Sequence, residues 1–232
     1  MSAETIHCGA VSAGYDGVAV VDELSFTLHS GETLAIVGRS GCGKSTILKT
    51  LAGILPPIDG QATVLGTQLP QTPPAGSLGY IPQGLGLVPH ETVRKNVLHG
   101  TLFDLGPVRS LLGRFPEQAE ANAAEAIDWV GLEEKADCRV TDLSGGQRRR
   151  VAIARAFVQQ PRVLLADEML SELDAATAQT IVQCLSSLQQ DTGMSVLMVE
   201  HQTDVARAIA DSILTVDNSR PTDGVHTASL GR

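Results

Sequence analysis

The sequence predicts an α/β fold in which a largely parallel sheet is covered by helices on both faces. After residue 141, strand-length apolar runs alternate with segments of helical spacing, as in parallel strands that crossover helices connect. Before residue 60, a buried strand at 33–37 leads through a glycine-rich turn into a helix. Between these two regions, residues 84–140 favour helices without intervening strands. We therefore expect an α/β core with a helical insertion.

The N-terminal part is expected to form an antiparallel β-subdomain. Residues 1–31 indicate short strands joined by turns, and residues 24–29 alternate apolar and polar side chains with the period of a half-buried strand. Two further strands are predicted at 61–65 and 78–82, separated by a loop rich in Pro, Gly and Thr at 70–77.

The insertion at 84–140 is expected to form a helical subdomain, because segments 91–105 and 117–130 carry apolar residues at helical spacing. Residues 1–83 and 141–232 would then make up the core. The remaining core elements are a helix capped near Ser144, a strand at 162–166, a helix from Asp174, a strand at 195–199, a helix at 203–210 and a last strand at 213–216.

Length and composition restrict the class of protein. With 232 residues and 43% hydrophobic content, the chain can bury the core of one large domain, or of one domain with an inserted subdomain. No apolar run approaches the roughly 18 residues of a membrane-spanning helix, and no export signal begins the chain, so a cytosolic location is expected. The four cysteines lack metal-ligand spacing and are expected to be reduced and mostly buried.

The charge excludes a further class of partner. A net charge of −9 does not favour a sequence-independent grip on nucleic acid, which depends on clustered Lys and Arg. We therefore expect no nucleic acid partner. The one basic cluster, at 148–150, is expected to be the exposed start of a helix.

The glycine-rich turn, GRSGCGKST at 38–46, matches the P-loop pattern in full. Such a loop presents backbone N–H groups at a helix N-terminus to a β-phosphate, and side chains would block that approach. Lys44 is expected to reach the β- and γ-phosphates and Ser45 to place its hydroxyl on Mg²⁺. A turn that binds nothing is disfavoured by the strand before it and the helix after it. The candidate nucleotide-binding residues are Gly38, Arg39, Ser40, Gly41, Cys42, Gly43, Lys44, Ser45 and Thr46.

An acidic pair, Asp167 and Glu168, ends the apolar run at 163–166. A buried parallel strand would deliver Asp167 to the carboxyl edge of the sheet beside the phosphate site, where it can hold Mg²⁺ through water. Glu168 could then polarise the attacking water as a general base. Two such carboxylates are more often a solvated turn when seen alone, but the P-loop favours a catalytic role.

The pentapeptide LSGGQ at 143–147 indicates a second anion-binding helix end. Ser144, Gly145 and Gly146 precede a helix that continues to Pro161, so free N–H groups and the helix dipole favour an anion there. The chain has one P-loop, so a second phosphate-binding end is most simply explained if it meets the nucleotide of another copy. An ordinary N-cap is the alternative.

These three motifs resemble the Walker A, signature and Walker B (VLLADE) sequences of the nucleotide-binding subunit of ABC transporters, and the resemblance covers nearly the whole chain. It implies a P-loop NTPase (RecA-like) core with an N-terminal antiparallel β-subdomain and an inserted helical subdomain. It further implies an ATPase that uses ATP and Mg²⁺.

Single residues extend the resemblance in the expected order. Tyr15 is similar to the aromatic residue that stacks on adenine, and Gln83 to the glutamine placed between Mg²⁺, water and the transmembrane partner. Asp174 ends the D-loop at 171–174, and His201 resembles the switch histidine that contacts the γ-phosphate. Each has a simpler alternative: a surface turn for Tyr15, a solvated loop for Gln83 and a sheet-edge histidine for His201.

The resemblance implies that two copies sandwich two ATP molecules head to tail. Ser144, Gly146 and Gln147 of one copy would close on the γ-phosphate held by Lys44 of the other. Hydrolysis would let the dimer open and drive the integral membrane permease subunits.

Two residues depart from the family pattern, Met169 where proline is usual and Glu172 where a small residue is usual in the D-loop. Both bear on the D-loop geometry and the catalytic rate.

One P-loop, no membrane span and no long coiled coil favour a stand-alone transporter subunit, more commonly that of an importer, with a separate-subunit exporter still open. It is expected at the cytoplasmic face of the inner (plasma) membrane, and a solute-binding protein would be an indirect partner. Stretches at 96–102, 111–115, 129–132 and 201–206 are similar to phosphonate importer ATPases, so phosphonate or a related oxyanion is the expected solute. Amino acid and inorganic phosphate importers remain alternatives.

Two further classes stay open. A P-loop GTPase or small-molecule kinase acting alone would need an Asn-Lys-x-Asp motif or a lid with substrate-binding arginines, and the sequence has no Asn-Lys-x-Asp. A soluble, non-transport ABC regulator would share the motifs but lack a membrane partner.

Overall fold

The computed structural model describes residues 3–104, 115–201, 203–217, 220–221 and 226–227. Two sheets and two layers of helices make up these residues. The strands are β1 Glu4–Tyr15, β2 Val18–His29, β3 Thr33–Gly38, β4 Asp59–Val64, β5 Thr67–Gln68, β6 Leu78–Ile81, β7 Val163–Asp167, β8 Ser195–Glu200, β9 Ser212–Asp217, β10 Arg220–Pro221 and β11 His226–Thr227. The α-helices are α1 Lys44–Leu51, α2 Val93–Leu98, α3 Glu117–Trp129, α4 Gly145–Val158, α5 Ala175–Thr192 and α6 Thr203–Ile209.

The larger sheet has the order β10-β9-β3-β8-β7-β6, and the strands from β9 to β6 in this order run parallel. Every residue of β7 and β8 is buried, as expected for parallel strands that helices cover on both faces. Because β3, β8 and β7 are neighbours, their carboxyl ends meet at one edge. The register pairs Val37 with Glu200 and Asp167 with Val199, so the P-loop after β3 and the acidic pair at the end of β7 lie on either side of the end of β8. The α/β prediction is confirmed.

The smaller sheet has the order β2-β1-β4-β5 and is antiparallel. It packs over α1 through an apolar cluster that includes Leu28, Leu48 and Val64. The predicted antiparallel subdomain is therefore present. The expectation of short strands was wrong, because β1 and β2 are 12 residues each and bend through register shifts rather than ending.

The insertion is helical, but the segment expected as one helix at 91–105 is not. An α-helix ends at Leu98 and a 3₁₀-helix follows at His99–Asp104. Gly100 lies against α4 so closely that a Cβ there would be 2.2 Å from the Arg155 carbonyl oxygen, so tertiary packing sets this part of the backbone. Of the stretch at 111–115, only Phe115 falls within the described residues.

Helix α4 packs against α2 and α3, and one apolar cluster joins these helices to the parallel sheet. Helix α4, which follows the insertion in the chain, thus shares an apolar core with the inserted helices. The boundaries of the helical subdomain at residues 84 and 140 stay a prediction.

The strand expected last is β9, and this expectation was wrong, since the two-residue strands β10 and β11 pair with it. Both supply partners for the otherwise open edge of the sheet. Within the described ranges, the helices are too short or too polar to cross a membrane.

Candidate functional site

The P-loop connects β3 to α1 through glycines that the backbone requires. Gly41 and Gly43 have positive φ angles of 83° and 95°. A Cβ on Gly43 would also lie 2.3 Å from a methyl carbon of Val21, so no other residue fits. The loop therefore turns tightly enough to aim the N-terminus of α1 at its own concave side, which is the geometry of a phosphate nest.

Lys44 lies at the centre of this loop with only 5% of its surface exposed. Its Nζ donates to the carbonyl oxygens of Gly38 at 2.8 Å and Arg39 at 3.0 Å. It also lies 3.5 Å from Nδ1 of His201. The ammonium is thus held at the loop by the backbone and faces the end of β8.

Glu168 and His201 meet beside Lys44. Oε1 of Glu168 lies 2.5 Å from Nε2 of His201, and 15% and 40% of these two side chains are exposed. Glu168 has a left-handed backbone with φ of 55°, directly after β7. Three residues that the sequence predicts to be catalytic, distant along the chain, therefore form one continuous contact.

A cavity of about 220 Å³ collects these residues with most of the P-loop. Gln83 lines it as well, so all four predicted catalytic residues share one space. Val20 of β2 also lines it, and no sequence signal pointed to that residue. The lining is Val20, Ser40, Gly41, Gly43, Lys44, Ser45, Thr46, Gln83, Glu168 and His201.

Asp167 lies behind the cavity and is 1% exposed. One of its carboxyl oxygens, Oδ1, has no hydrogen-bond partner. Burial raises the pKa of Asp167, the hydrogen bond from Ser45 opposes that shift, and the charge of Glu168 adds to it. A buried carboxyl oxygen without a partner, next to a serine hydroxyl, fits a divalent cation site in its donor chemistry.

Tyr15 ends β1 beside α1 and is 43% exposed. Lys49 donates to its hydroxyl at 3.2 Å and lies 5.7 Å from the ring centroid. These contacts, first with Lys49 and then with Thr46, lower the pKa of Tyr15. Tyr15 does not line the P-loop cavity, but Thr46 connects the ring to it.

The signature residues lie away from this cavity. Ser144 caps α4 in a capping box, in which its Oγ accepts from the Gln147 N–H at 3.2 Å and its own N–H donates to Oε1 of Gln147 at 2.9 Å. Gly145 lines a separate groove of about 350 Å³ together with Gln83. The helix cap predicted near Ser144 is confirmed, and Gly145 and Gly146 lie at the tip of the helix.

Asp174 also lies outside the cavity. Its two carboxyl oxygens accept from the N–H of Thr177 at 3.0 Å and from its hydroxyl at 2.8 Å, which caps α5. The backbone hydrogen bond from Thr177 lowers the pKa of Asp174. Within one chain, Asp174, which the sequence predicts to bind nucleotide, acts as the N-cap of α5.

Arg149 lies beside the site and was not singled out from the sequence, since the basic cluster at 148–150 was expected to be exposed. Arg149 is 4% exposed, donates to the Glu168 carbonyl at 2.6 Å and lies 3.9 Å from Oε1 of Glu172. The prediction was wrong because Arg149 shares the buried face of α4 with Ile153, four residues on. Helical spacing could have shown this.

Glu200 is a second charged residue with no predicted role. It ends β8 between the strands that carry the P-loop and the acidic pair, and it is 5% exposed. Its Oε1 has no hydrogen-bond partner. Burial, followed by the charge of Glu168, raises its pKa to about 7.

The two departures from the family pattern differ in their surroundings. Met169 is completely buried in the core. Glu172 has a left-handed backbone with φ of 63°, and its side chain is 64% exposed.

The motifs that form this site match those of a known protein family. The family model described as ABC transporter matches residues 21–171, which include the P-loop, the signature and the acidic pair. The chain belongs to the ABC transporter family. The chain, called the cassette below, is therefore an ATP-binding subunit that hydrolyses ATP.

Curated relatives cover most of the cassette. The phosphonates import ATP-binding protein PhnC 3 of Nostoc sp. is 38% identical over 209 residues, which are 88% of the cassette and 79% of that protein. The phosphonates import ATP-binding protein PhnC of Hyphomonas neptunium is 38% identical over 218 residues, or 91% and 82% of the two chains. The hypophosphite import ATP-binding protein HtxD of Stutzerimonas stutzeri is 34% identical over 216 residues, or 90% and 63%.

Solved structures agree with the fold. A dimeric bacterial ABC transporter cassette superposes with a TM-score of 0.85 at 26% identity, covering 96% of the present chain and 98% of its own. A dimeric post-hydrolysis state of the same cassette, bound to ADP and Pi, gives a TM-score of 0.84 at 26% identity over the same shares.

Glu200 gives the cassette a predicted pH dependence. The pKa of its carboxyl is about 7 in the folded protein against an ordinary value of 4.5, so the folded state binds more protons between these values. Stability is therefore lost as pH rises from 4.5 to 7, and the loss is complete above 7. Glu200→Gln is expected to be about 1 to 3 kcal/mol more stable than the parent at pH 8. Urea unfolding without nucleotide measures this.

Glu134→Gln is a matched control, because Glu134 is exposed on the insertion. The gain of Glu200→Gln should shrink towards pH 5. A gain of the same size at pH 5 and pH 8 would show that Glu200 acts through packing rather than charge.

Proposed function

We propose that the cassette powers the import of a phosphonate or a related oxyanion by binding and hydrolysing ATP between two copies of itself. One observation supports ATP binding and hydrolysis: Lys44, Glu168 and His201 line a single cavity. The N-terminal tip of α4 does not line this cavity. The names of the curated relatives carry the solute class.

Nucleotide binding is assigned to the P-loop cavity and Tyr15. The N–H groups at the N-terminus of α1 receive the phosphates, and Lys44 exchanges its carbonyl partners for phosphate oxygens. The exposed ring of Tyr15 offers a stacking surface for adenine, a contact worth about 1 to 3 kcal/mol. The residues assigned to ATP in one copy are Tyr15, Gly38, Arg39, Ser40, Gly41, Cys42, Gly43, Lys44, Ser45 and Thr46.

Mg²⁺ is assigned to Ser45, Gln83 and Asp167. Within the described part of the chain, no cluster of three or more His, Cys, Asp or Glu could hold a metal. A cation at this site would be held by few protein groups together with phosphate and water oxygens. When bound, Mg²⁺ would neutralise the charge that develops on the phosphates. The partnerless oxygen of Asp167 supports this assignment.

Glu168 is assigned as the general base for the attacking water. Its backbone is held from two sides, since Arg149 at 2.6 Å and the hydroxyl of Ser171 at 3.0 Å both donate to its carbonyl oxygen. This leaves the carboxylate as the part that faces the cavity. His201 contacts both Glu168 and Lys44, so it can hold the base and approach the γ-phosphate.

The site is incomplete within one chain. Ser144, Gly145, Gly146 and Gln147 form an anion-binding helix end that does not line the P-loop cavity of its own copy. A second copy placed head to tail would bring this end, with Asp174, to the nucleotide. The similar cassette solved as a dimer supports this assembly.

Membrane permease subunits are the proposed partners of the helical insertion at 84–140. The groove of about 350 Å³ between Gln83 and α4 opens beside exposed apolar side chains, among them Val88. Because Gln83 lines both this groove and the P-loop cavity, a partner in the groove can sense the nucleotide. The cassette would thus be a peripheral subunit at the cytoplasmic face of the membrane, and a solute-binding protein would contact only the permease.

Uptake tests the proposal. Proteoliposomes containing the cassette and the permease encoded with it, with the solute-binding protein added outside, should accumulate radiolabelled methylphosphonate when ATP is enclosed, and Glu168→Gln should abolish the accumulation. Unlabelled hypophosphite, inorganic phosphate and an amino acid serve as competitors that rank the solute classes. In a parallel assay, ATP-dependent uptake of the same amino acid in radiolabelled form, without uptake of methylphosphonate, would refute the oxyanion assignment and leave the ATPase assignment intact.

A further inference from the structure

Glu168 has a backbone conformation that is unfavourable for a residue with a Cβ. Its φ of 55° lies in the left-handed region, and such a conformation persists only where the surrounding structure holds it. Glu168 directly follows β7, and its carboxylate contacts Nε2 of His201 in the P-loop cavity. The groups that hold this backbone therefore set the position of the carboxylate.

Hydrogen bonds hold both peptide groups that flank the Cα of Glu168. The preceding peptide group donates, through the Glu168 N–H, to the carbonyl oxygen of Val199 at 3.0 Å on the neighbouring strand β8. The following peptide group accepts, through the Glu168 carbonyl oxygen, from Nη1 of Arg149 at 2.6 Å on α4. Because φ and ψ are the rotations between these two planar groups, the two contacts together set the direction of the Cβ.

Ser171 also donates to the Glu168 carbonyl oxygen, through its N–H at 3.2 Å and its hydroxyl at 3.0 Å. It lies three residues further on in the same turn, so these contacts shape the turn without tying it to another element. Arg149 belongs to a different element and is 4% exposed. Its hydrogen bond therefore anchors the turn after β7 to α4.

The other contacts of Arg149 are weaker. Its buried Nε has no hydrogen-bond partner among the described residues. Its ion pair with Glu172 is 3.9 Å long, and the side chain of Glu172 is 64% exposed. A buried guanidinium that is incompletely paired is poor evidence for a contribution to stability. The short, charge-assisted hydrogen bond to the Glu168 carbonyl oxygen is the contact that gives Arg149 a role.

We propose that Arg149 is a positioning residue for ATP hydrolysis. By holding the carbonyl oxygen of Glu168, it keeps that backbone left-handed and the carboxylate in the P-loop cavity beside His201. Arg149 does not line this cavity, so it acts through Glu168 and not on the nucleotide. The inference rests on the role of Glu168 as the general base in the proposed function.

Steady-state ATPase kinetics of Arg149→Met test the inference. Met replaces the stem of the arginine but cannot donate to the carbonyl oxygen. The kcat should fall by about 10- to 100-fold, the loss expected when a catalytic group is displaced by about 1 Å. The KM for ATP should stay within about twofold of the parent, because Arg149 does not line the P-loop cavity. Arg149→Lys can still donate and should restore kcat to within about fivefold of the parent.

Arg207→Met is the matched control, because the side chain of Arg207 is 66% exposed on α6. Its kcat and KM should equal those of the parent. Arg149→Gln provides a second variant if Arg149→Met does not fold. The amide nitrogen of Gln reaches only as far as the Nε of arginine, so it falls short of the carbonyl oxygen and kcat should fall as in Arg149→Met.

A double-mutant cycle separates positioning from a purely structural role. In a Glu168→Gln background the base is already absent, so Arg149→Met should lower the remaining ATPase rate by less than about twofold. A residue that only stabilised the fold would lower the rate by the same factor in both backgrounds.

The outcomes distinguish the two proposals. If Glu168→Gln loses activity but Arg149→Met and Arg149→Gln keep kcat within about twofold of the parent, the inference is overturned and Glu168 remains the base. Equal losses from Arg149→Met in the two backgrounds would also overturn it. A rate for Glu168→Gln within about tenfold of the parent would remove the base, and the inference with it.

Discussion

Glu168→Gln is expected to lower the ATPase rate of the cassette by about 10²- to 10⁴-fold, the usual contribution of a general base. Gln keeps the shape of the side chain and a contact with His201, which lies 2.5 Å from Oε1 in the parent. ATP binding should therefore remain close to that of the parent. ATP that binds but is not hydrolysed should accumulate in a closed dimer, which light scattering after size-exclusion chromatography with ATP detects.

Glu134→Gln is the control for this change, since it removes a carboxylate from an exposed position on the insertion. Its ATPase rate should equal that of the parent. Two results would contradict the assignment: an ATPase rate for Glu168→Gln within tenfold of the parent, or ATP-loaded protein that elutes only as a monomer. The first would remove Glu168 as the base, and the second would remove the second copy from the site.

Lys44→Met is expected to weaken ATP binding by about 10²- to 10³-fold, the loss of two charge-assisted hydrogen bonds to phosphate. Lys44 is buried with its Nζ on the carbonyl oxygens of Gly38 and Arg39, so its stem is already packed and its ammonium can exchange these carbonyl partners for phosphate oxygens. Met fills a similar volume without that charge. Isothermal titration with ATP measures the affinity, and thermal unfolding without nucleotide verifies the fold.

Lys135→Met provides the matched control, because Lys135 is exposed and far along the chain in the insertion. Its ATP affinity should not change. An ATP affinity of Lys44→Met within threefold of the parent, in a protein that melts normally, would exclude Lys44 as the phosphate ligand.

Local sequence predicted the parts of the site that depend on local geometry. The glycines of the P-loop could be interpreted without a structure, because positive φ angles and close backbone approach permit few other residues. Asp167 could be placed at a sheet edge because a short, fully apolar strand leads to it. The Ser144 cap followed from its position before an amphipathic helix.

Contacts between distant segments were less accessible. Arg149 looked like part of a solvated basic cluster, and its burial depends on how α4 packs against the turn after β7. Glu172 was noted only as a departure in the D-loop. Its position at Gly145 depends on two turns that are separated by a helix and a strand.

The sequence by itself determined which groups could bind phosphate, metal and water, since each motif carries its own backbone geometry. Tertiary structure alone decided that Lys44, Glu168 and His201 meet in one cavity, and that Arg149 is buried against the carbonyl oxygen of Glu168. The physical reason is strand order. With β8 between β3 and β7, three segments far apart in the chain end at one edge, and no local pattern encodes that adjacency.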